Sequence, residues 1–409
     1  MGIGDRFGRE GAAQLGAIIR ANEAGLPLAP VWNKSHREHA IVGTTPEGVR
    51  SEADDAVRKC GWTGPYFVDA DHIGLETVDG FLASSDFFTL DVADYIGAEP
   101  AADDLAKFVE KHRTCAGCLQ IPGIDGEFVI SGETIENAAR KFLRAVREAG
   151  CTYRRIEQAK GAGNFVTEVS MDETEQPQTP AEMLLILAAV ADEGIPAQTI
   201  APRFTGRFNK GVDYVGDAAQ FAREFEQDIA VIAYAVEHFT LPENLKLSVH
   251  SGSDKFSIYG PMHEAIGKFN AGVHLKTAGT TWLEELIGLA SAGDDGLAIA
   301  KTIYRNSLDR FGELYGPYAS VVDIDPTALP SAETVSAWDG DAFASALRHD
   351  PACAAYNPNL RQLLHVAYKV AAEMGNRFLD ALEKHAEVIA ENVAENIYDR
   401  HIRPLFFGE

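Results

Sequence analysis

Short runs of β-branched and aromatic residues alternate along this chain with amphipathic helical stretches. This alternation is typical of parallel strands joined by helical crossovers. Eight candidate strands can be counted, at residues 26–32, 66–73, 87–92, 164–171, 199–204, 245–250, 273–277 and 318–324. Because eight strands close the most common parallel barrel, the sequence predicts an α/β fold of the (β/α)8 TIM type.

Two segments exceed what eight strand–helix units require. Residues 99–150, after the third candidate strand, contain more residues than one crossover needs and predict an insertion. Beyond about residue 330 the pattern is almost wholly helical. We therefore predict a catalytic barrel over 1–330, including the insertion at about 99–150, and a helical C-terminal extension over 331–409 packed on the barrel. The long amphipathic tail fits internal packing and a homo-oligomer contact equally well.

Charge and cysteine usage narrow the class of partner. The chain carries 36 Lys and Arg against 61 Asp and Glu, a formal net charge of −25, which repels nucleic acid and anionic lipid. Five cysteines are an odd number for a disulfide framework and indicate a reducing compartment. No apolar run is long enough to span a bilayer. These features predict a cytoplasmic protein that acts on a small molecule, with neither membrane nor nucleic acid as partner.

Three candidate strands each end at a histidine, namely His72, His250 and His274. In a parallel barrel the active site lies at the carboxyl ends of the strands, so these side chains are expected to converge. Three imidazoles suit a divalent cation of borderline softness such as Zn, Mn, Co or Ni, and they leave positions open for substrate oxygens. For each histidine taken alone, a hydrogen-bonded strand end is the alternative.

Other polar residues surround the predicted strand ends. Asp71, beside His72, could serve as a general base or as a further ligand, and the fourth strand carries Glu168, Ser170 and Asp172 on one face. Several charged or polar side chains could bind an anionic substrate or move a proton, although a solvated basic loop is the alternative. The candidates for these roles are Asn33, Lys34, Arg203, Lys210, Asp213, Lys255 and Lys276. The chain has no dinucleotide-binding glycine motif.

Five long motifs resemble those of the tagaturonate/fructuronate epimerase family, and the resemblance covers essentially the whole chain. They are PVWNKSHREHAIVGTTP, YFVDADHIGLETVDGF, TIAPRFTGRFNKGVDYVGD, KLSVHSGSDKFSIYGP and GVHLKTAGTTWLEEL. The resemblance implies a divalent-metal enzyme that interconverts D-tagaturonate and D-fructuronate. It also implies that His72, His250 and His274 bind the metal, that Asp71 accepts a proton, and that the proton donor lies at 203–213, where Asp213 is the choice and Lys210 the rival.

The implied reaction inverts a carbon that lies one bond beyond the position activated by the ketone, so enolisation alone cannot achieve it. Retro-aldol cleavage and re-addition is one route, and transient oxidation by a nicotinamide is another. The missing dinucleotide motif favours the first, with Arg203, Lys255 or Lys276 holding the substrate carboxylate. Two alternatives stay open: a metal-dependent aldolase or isomerase acting on another ketose or sugar acid, and a sugar-acid-binding protein without turnover.

Overall fold

Eight parallel strands form one sheet in the computed structural model, which describes residues 1–172, 174, 176–250 and 253–409. A separate two-stranded antiparallel hairpin is formed by β5 and β6. The strands are β1 (Gly2–Ile3), β2 (Val31–Ser35), β3 (Phe67–Ile73), β4 (Phe87–Asp91), β5 (Gly117–Leu119), β6 (Phe128–Ile130), β7 (Val166–Ser170), β8 (Thr199–Ala201), β9 (Lys246–Val249) and β10 (Val273–Leu275).

The sheet follows the order of the chain, β1-β2-β3-β4-β7-β8-β9-β10, and every neighbouring pair is parallel. Its two ends meet, because the Ala278 amide donates to the Gly2 carbonyl at 2.9 Å. A side chain at position 2 would place its Cβ 1.8 Å from the Lys276 carbonyl oxygen, so only glycine allows this approach. The predicted (β/α)8 TIM-type barrel is therefore confirmed.

One predicted strand is wrong. Residues 318–324 form no strand; Tyr318 ends a 3-10 turn, Gly316–Tyr318, and the chain then continues irregularly. The remaining place in the barrel belongs to β1, which has two residues and is therefore too short to leave a periodic signal. The first predicted strand, 26–32, is also displaced, since β2 begins only after Pro30. The other six predicted strands are confirmed to within a few residues at their ends.

Seventeen α-helices cover the barrel within the described ranges. They are α1 (Gly11–Glu23), α2 (His36–Val42), α3 (Pro46–Cys60), α4 (Ala102–Lys111), α5 (Gly132–Lys160), α6 (Pro180–Asp192), α7 (Ala218–His238), α8 (Phe256–Phe269), α9 (Thr281–Ser291), α10 (Asp294–Asp309), α11 (Phe311–Tyr315), α12 (Ala332–Ser336), α13 (Gly340–Leu347), α14 (Pro358–Val366), α15 (Tyr368–Glu373), α16 (Asn376–Lys384) and α17 (Ala386–Ile397). A π-helical segment, Tyr398–Phe407, follows α17. None of the helices described is long and apolar enough to cross a membrane.

Local sequence signals fix where several helices start. Thr179 caps α6 by accepting from the Glu182 amide, while the Glu182 carboxylate accepts from the Thr179 amide, and Pro180 occupies the first helical position. Ser35 and Glu38 form the same reciprocal cap at the start of α2. This second cap turns the chain sharply at the carboxyl end of β2, so the polar residues there face the barrel mouth.

The helices after residue 330 are tied to the barrel by a buried charged residue. Arg361 of α14 is fully buried, and its guanidinium donates to the Asp254 carboxylate at 2.5 Å and to the Gly211 carbonyl at 2.5 Å. His349 and His401 approach the same carboxylate, each at 3.2 Å. Because Asp254 follows β9 and Gly211 follows β8, the C-terminal helices fix two loops at the barrel mouth. The division of the chain at residue 330 stays a prediction.

Acidic side chains also accumulate at the start of α1. Glu10 and Glu285 are buried, Glu52 lies beside them, and Asp5 accepts the backbone amides of Arg9 and Glu10 at 2.6 and 2.7 Å. Burial, reinforced by the Asp5 carboxylate, raises the pKa of Glu10 to about 8 and the pKa values of Glu52 and Glu285 well above their ordinary range. The folded protein therefore holds these carboxyl groups protonated at a pH where the unfolded chain releases the protons.

We predict that stability falls as pH rises between the ordinary glutamate value of 4.5 and about 8, because ionisation of Glu10 then opposes folding. The Glu10→Gln variant should lose part of this pH dependence in urea-unfolding free energies. Glu23→Gln, at an exposed position on α1, should leave the dependence as it is in the wild type. If the free energy of unfolding changes with pH equally in the wild type and in Glu10→Gln, the prediction is contradicted.

Candidate active site

A polar cavity of about 880 Å³ opens at the carboxyl ends of the barrel strands. Loops after nearly every strand contribute to its wall, together with His365 of α14. In contrast to the net charge of the chain, its wall is rich in cations, namely Arg6, Lys34, Arg37, Arg203, Arg207, Lys210 and Lys276. Its acids are Asp5, Glu38, Asp71, Asp91 and Asp172.

Lys276 lines the cavity and lies immediately after β10. Its ammonium contacts Asp69 at 2.5 Å, Asp71 at 3.0 Å and Glu168 at 3.2 Å, and it also donates to Thr89. Burial alone would lower the pKa of Lys276, but the three carboxylates outweigh it and raise the pKa well above the ordinary value. Lys276 is thus a permanent cation that holds the ends of β3, β7 and β10 together.

Asp71 and His72 both line the cavity although they are consecutive residues of β3. Neighbouring side chains of a regular strand point to opposite faces. The pairing of β3 with β4 shifts register between Ala70 and Ile73, and His72 has a left-handed φ of 52°. A non-glycine residue in that region is strained by roughly 1–3 kcal/mol. This irregularity turns both side chains toward the same space.

His72, Asp172 and His250 form a cluster of potential metal ligands, with ligand atoms all within 4.8 Å of one another. Each imidazole also has a carboxylate on its outer side, since His72 Nδ1 contacts Asp91 at 3.0 Å and His250 Nε2 contacts Glu168 at 2.9 Å. Such carboxylates orient histidine ligands at metal sites. His250 Nδ1 lies 3.1 Å from Asp172 Oδ1 but forms no hydrogen bond with the described residues.

Two imidazoles, each bonded to a carboxylate on its outer side, together with the Asp172 carboxylate fit a divalent cation of borderline softness. The carboxylates around the two imidazoles also stabilise positive charge on the rings themselves. Burial lowers the pKa of the imidazoles, but Asp71 and Asp91 raise that of His72 to about 10, and Asp172 and Glu168 raise that of His250 to about 9. The site therefore has carboxylates that stabilise positive charge at this position.

The structure does not bring His274 into this cluster. His274 lies on β10 two residues before Lys276, where its buried ring stacks on Phe87 with centroids 5.2 Å apart. It does not line the cavity, and burial lowers its pKa well below the ordinary value. His274 lies deeper in the barrel than Lys276, and its Nε2 is buried without a hydrogen-bond partner among the described residues. The three-histidine metal site stays a prediction, and the cluster in the structure has Asp172 where His274 was expected.

Two other predicted site residues lie outside the cavity. Lys255 is fully buried, and its ammonium donates to the carbonyls of Asn209, Val212 and Ser253 at 2.9, 2.6 and 2.6 Å. Asp213 accepts from the Ser257 amide and hydroxyl at 3.1 and 2.9 Å. Both therefore stabilise the loop between β8 and α7, and neither is among the residues that line the cavity.

The remaining predicted residues do line the cavity. Arg203 donates to the Asp172 carbonyl at 3.1 Å, and Lys210 lies on the same loop. Asn33 donates to the Lys276 carbonyl at 2.6 Å and so connects β2 to the end of β10 across β1. Lys34 is buried and donates to the Arg6 carbonyl at 3.0 Å. Asn33 and Lys34 thus shape the wall with their polar atoms already engaged.

Sequence reasoning missed Asp91, Arg6 and Thr280. Asp91 ends β4 and could have been found by the rule that collected the histidines, because it is a polar residue at the end of an apolar strand. Arg6 follows β1, so missing that strand also hid the loop behind it. Thr280 precedes α9 and has no periodic or compositional signal of its own.

Comparison with known proteins identifies the family of the chain. The sequence profile of the UxaE family, described as tagaturonate epimerase, matches residues 1–405. The chain belongs to the tagaturonate epimerase family. It is therefore an isomerase-type enzyme, as the motifs predicted.

Individual relatives support the same assignment. The chain is 30% identical over 421 residues to the tagaturonate/fructuronate epimerase of Thermotoga maritima, covering 98% of this chain and 79% of that protein. Crystal structures of fructuronate-tagaturonate epimerase UxaE from Cohnella laeviribosi are 24% identical, covering 99% of this chain and 80% of theirs. The TM-score is 0.81 for a glycerol complex and 0.80 for the native form, which shows a shared fold.

We predict that Lys276→Met destabilises the protein strongly, because it leaves the carboxylates of Asp69, Asp71 and Glu168 buried without their cation. Removing one partner of a buried ion pair costs about 3–5 kcal/mol, which urea unfolding can measure. Lys268→Met is the matched control, since Lys268 pairs with Glu226 on the surface, and it should leave the midpoint unchanged. Equal effects of the two substitutions would disprove the central role of Lys276.

Proposed function

We propose that this protein interconverts D-tagaturonate and D-fructuronate with the help of a divalent cation. The observation that carries the proposal is the position of Asp71, a cavity-lining carboxylate beside the cluster of His72, Asp172 and His250. Membership of the epimerase family supports the choice of substrates. A cationic cavity in a chain of net charge −25 supports an anionic substrate.

His72, His250 and Asp172 are the residues that would hold the cation. When bound there, a divalent cation supplies Lewis-acid polarisation of the substrate ketone and stabilises negative charge that develops on its oxygens. The fit rests on the donor set, on the 3.1 Å approach of His250 Nδ1 to Asp172 Oδ1 and on the carboxylates behind both rings. His274 has no part in the site that we propose.

Asp71 is the base in this proposal. Burial raises its pKa, but the Lys276 ammonium outweighs burial and holds the pKa below the ordinary value, so the carboxylate is charged and able to accept a proton. It removes the proton of the hydroxyl on the carbon to be inverted. The bond between that carbon and its neighbour next to the ketone then breaks, leaving an aldehyde and an enediolate that carries the bonding electron pair.

Inversion follows when the aldehyde turns and the enediolate attacks its other face, which re-forms the carbon–carbon bond. The new alkoxide then takes up a proton. Lys210 lines the cavity and is the donor in this proposal, whereas Asp213 lies outside it. Arg203, on the same loop, adds positive charge toward the anionic substrate.

The activity test is incubation of the purified protein with D-fructuronate, followed by NMR detection of D-tagaturonate. Removing a general base typically costs 10²–10⁴-fold in rate, so Asp71→Asn should lose at least about a hundredfold in kcat. Absence of the epimer with wild-type protein, after addition of Zn²⁺, Mn²⁺, Co²⁺ or Ni²⁺ in turn, would reject the proposed reaction. Full activity of Asp71→Asn would reject the assigned base.

The metal content of the protein provides a separate prediction. Elemental analysis should find about one divalent metal per chain in the wild type, and His250→Ala and Asp172→Ala should lose it. His274→Gln is the matched control and should retain the metal, because its ring stacks on Phe87 below the cluster. Loss of metal in His274→Gln with retention in Asp172→Ala would reverse the ligand assignment.

A further inference from the structure

The turn between β10 and α9 forms a second polar region of the cavity wall, apart from the cluster of His72, Asp172 and His250. Thr277, Gly279, Thr280, Thr281 and Trp282 all line the cavity here. In (β/α)8 barrels the loops after the last strands, together with a helix N-terminus, frequently bind anionic groups. Within the sequence motif that contains this turn, only Lys276 has a part in the chemistry described above.

Thr280 has an unusual environment for an N-cap residue. Its hydroxyl makes no capping bond to α9, and its residue is 4% exposed. The oxygen is buried and has no hydrogen-bond partner among the described residues. A buried hydroxyl without a partner costs free energy, so the structure favours a ligand that supplies one. The next hydroxyl, that of Thr281, differs because it accepts from the Gln14 side chain at 2.9 Å.

The backbone at this position also favours an anion. The first amides of α9, which include those of Thr281 and Trp282, have no partner within the helix, and the helix dipole places partial positive charge there. The acids of the first turns, Glu284 and Glu285, are buried and do not line the cavity. The Asn396 side chain donates to Glu284 at 3.0 Å, which holds that carboxylate on the outer side of the helix.

Arg6 supplies a full positive charge on the wall of the same cavity. Its guanidinium lies 4.5 Å from the centroid of the Tyr368 ring, and its Nε donates to Glu38 at 3.1 Å. These two contacts fix the plane of the guanidinium and leave its terminal nitrogens for other acceptors. A planar donor held in this way is well suited to an oxyanion.

We propose that the start of α9, with the Thr280 hydroxyl and the Arg6 guanidinium, binds the carboxylate of the hexuronate substrate. This inference rests on the proposed function, and it assigns the carboxylate to residues other than Arg203, Lys255 and Lys276. In the retro-aldol step the aldehyde fragment keeps the carboxylate. Anchoring that group retains the fragment while its aldehyde turns, and it thereby separates an epimerase from an aldolase that releases the fragment.

The test compares ligands that differ in charge, by calorimetric binding to metal-loaded protein in which Asp71→Asn prevents turnover. The ligands are D-fructuronate, neutral D-fructose and D-fructose 6-phosphate. Adding Thr280→Val should weaken D-fructuronate binding at least about tenfold, the lower end of the range for a hydrogen bond to a charged group, and should change D-fructose binding less than twofold. Thr152→Val is the matched control, because it removes a hydroxyl of equal burial on α5, away from the cavity, and it should leave the ratio of the two affinities as it is in the parent.

Each other outcome overturns the assignment. Equal weakening of D-fructuronate and D-fructose would mean that Thr280 has only a structural role. Selective weakening of D-fructose 6-phosphate alone would make the region a phosphate site. The binding test is independent of the activity test. A loss of affinity that is selective for the charged ligand can be measured even if the wild type fails to produce D-tagaturonate. In an active enzyme, Thr280→Val should in addition release the aldehyde fragment, which NMR would detect, and its absence would count against retention by this turn.

Discussion

The Lys276 ammonium and the carboxylates around it are the interaction on which the rest of the site depends. Asp69 and Asp71 come from β3, Glu168 from β7 and Lys276 from the end of β10, so a single buried cation connects strands across the barrel. In the reaction that we propose, the same charges prepare the base. The cation keeps Asp71 ionised, and Glu168 fixes the ring of His250. Structural stability and preparation of the base therefore have one physical origin.

A second layer of buried charge holds the barrel mouth. Arg361 and Lys255 together fix the loops after β8 and β9 through the Asp254 carboxylate and several carbonyl groups. Arg361 belongs to the C-terminal helices, which thereby hold two loops of the barrel mouth in place. Ser253 and Asp254 both have left-handed backbone angles, φ 69° and 57°, and such strained residues persist only when the surrounding contacts support them.

The sequence predicted the barrel well because parallel strands buried on both faces leave apolar runs of recognisable length. It failed at β1, where two residues complete the barrel through the small size of Gly2. The rule that strand ends carry the chemistry found Asp71, His72 and His250. It could not show whether His274 or Asp172 lies closer to the other two ligands. Their depth along the barrel axis depends on the register of the strands, which the sequence pattern does not give. Nor could it show that Lys255 is turned into the protein, since burial of a lysine depends on carbonyl partners distant in the chain.

The most direct test of the cation site is an anomalous difference map from crystals grown with Mn²⁺. A single strong peak among His72, Asp172 and His250, with Asp71 facing the adjoining space, is the predicted result. A peak at His274, or a Mn²⁺ ion bound only at surface carboxylates while the cluster remains unoccupied, would contradict the assignment of this cluster as the catalytic centre.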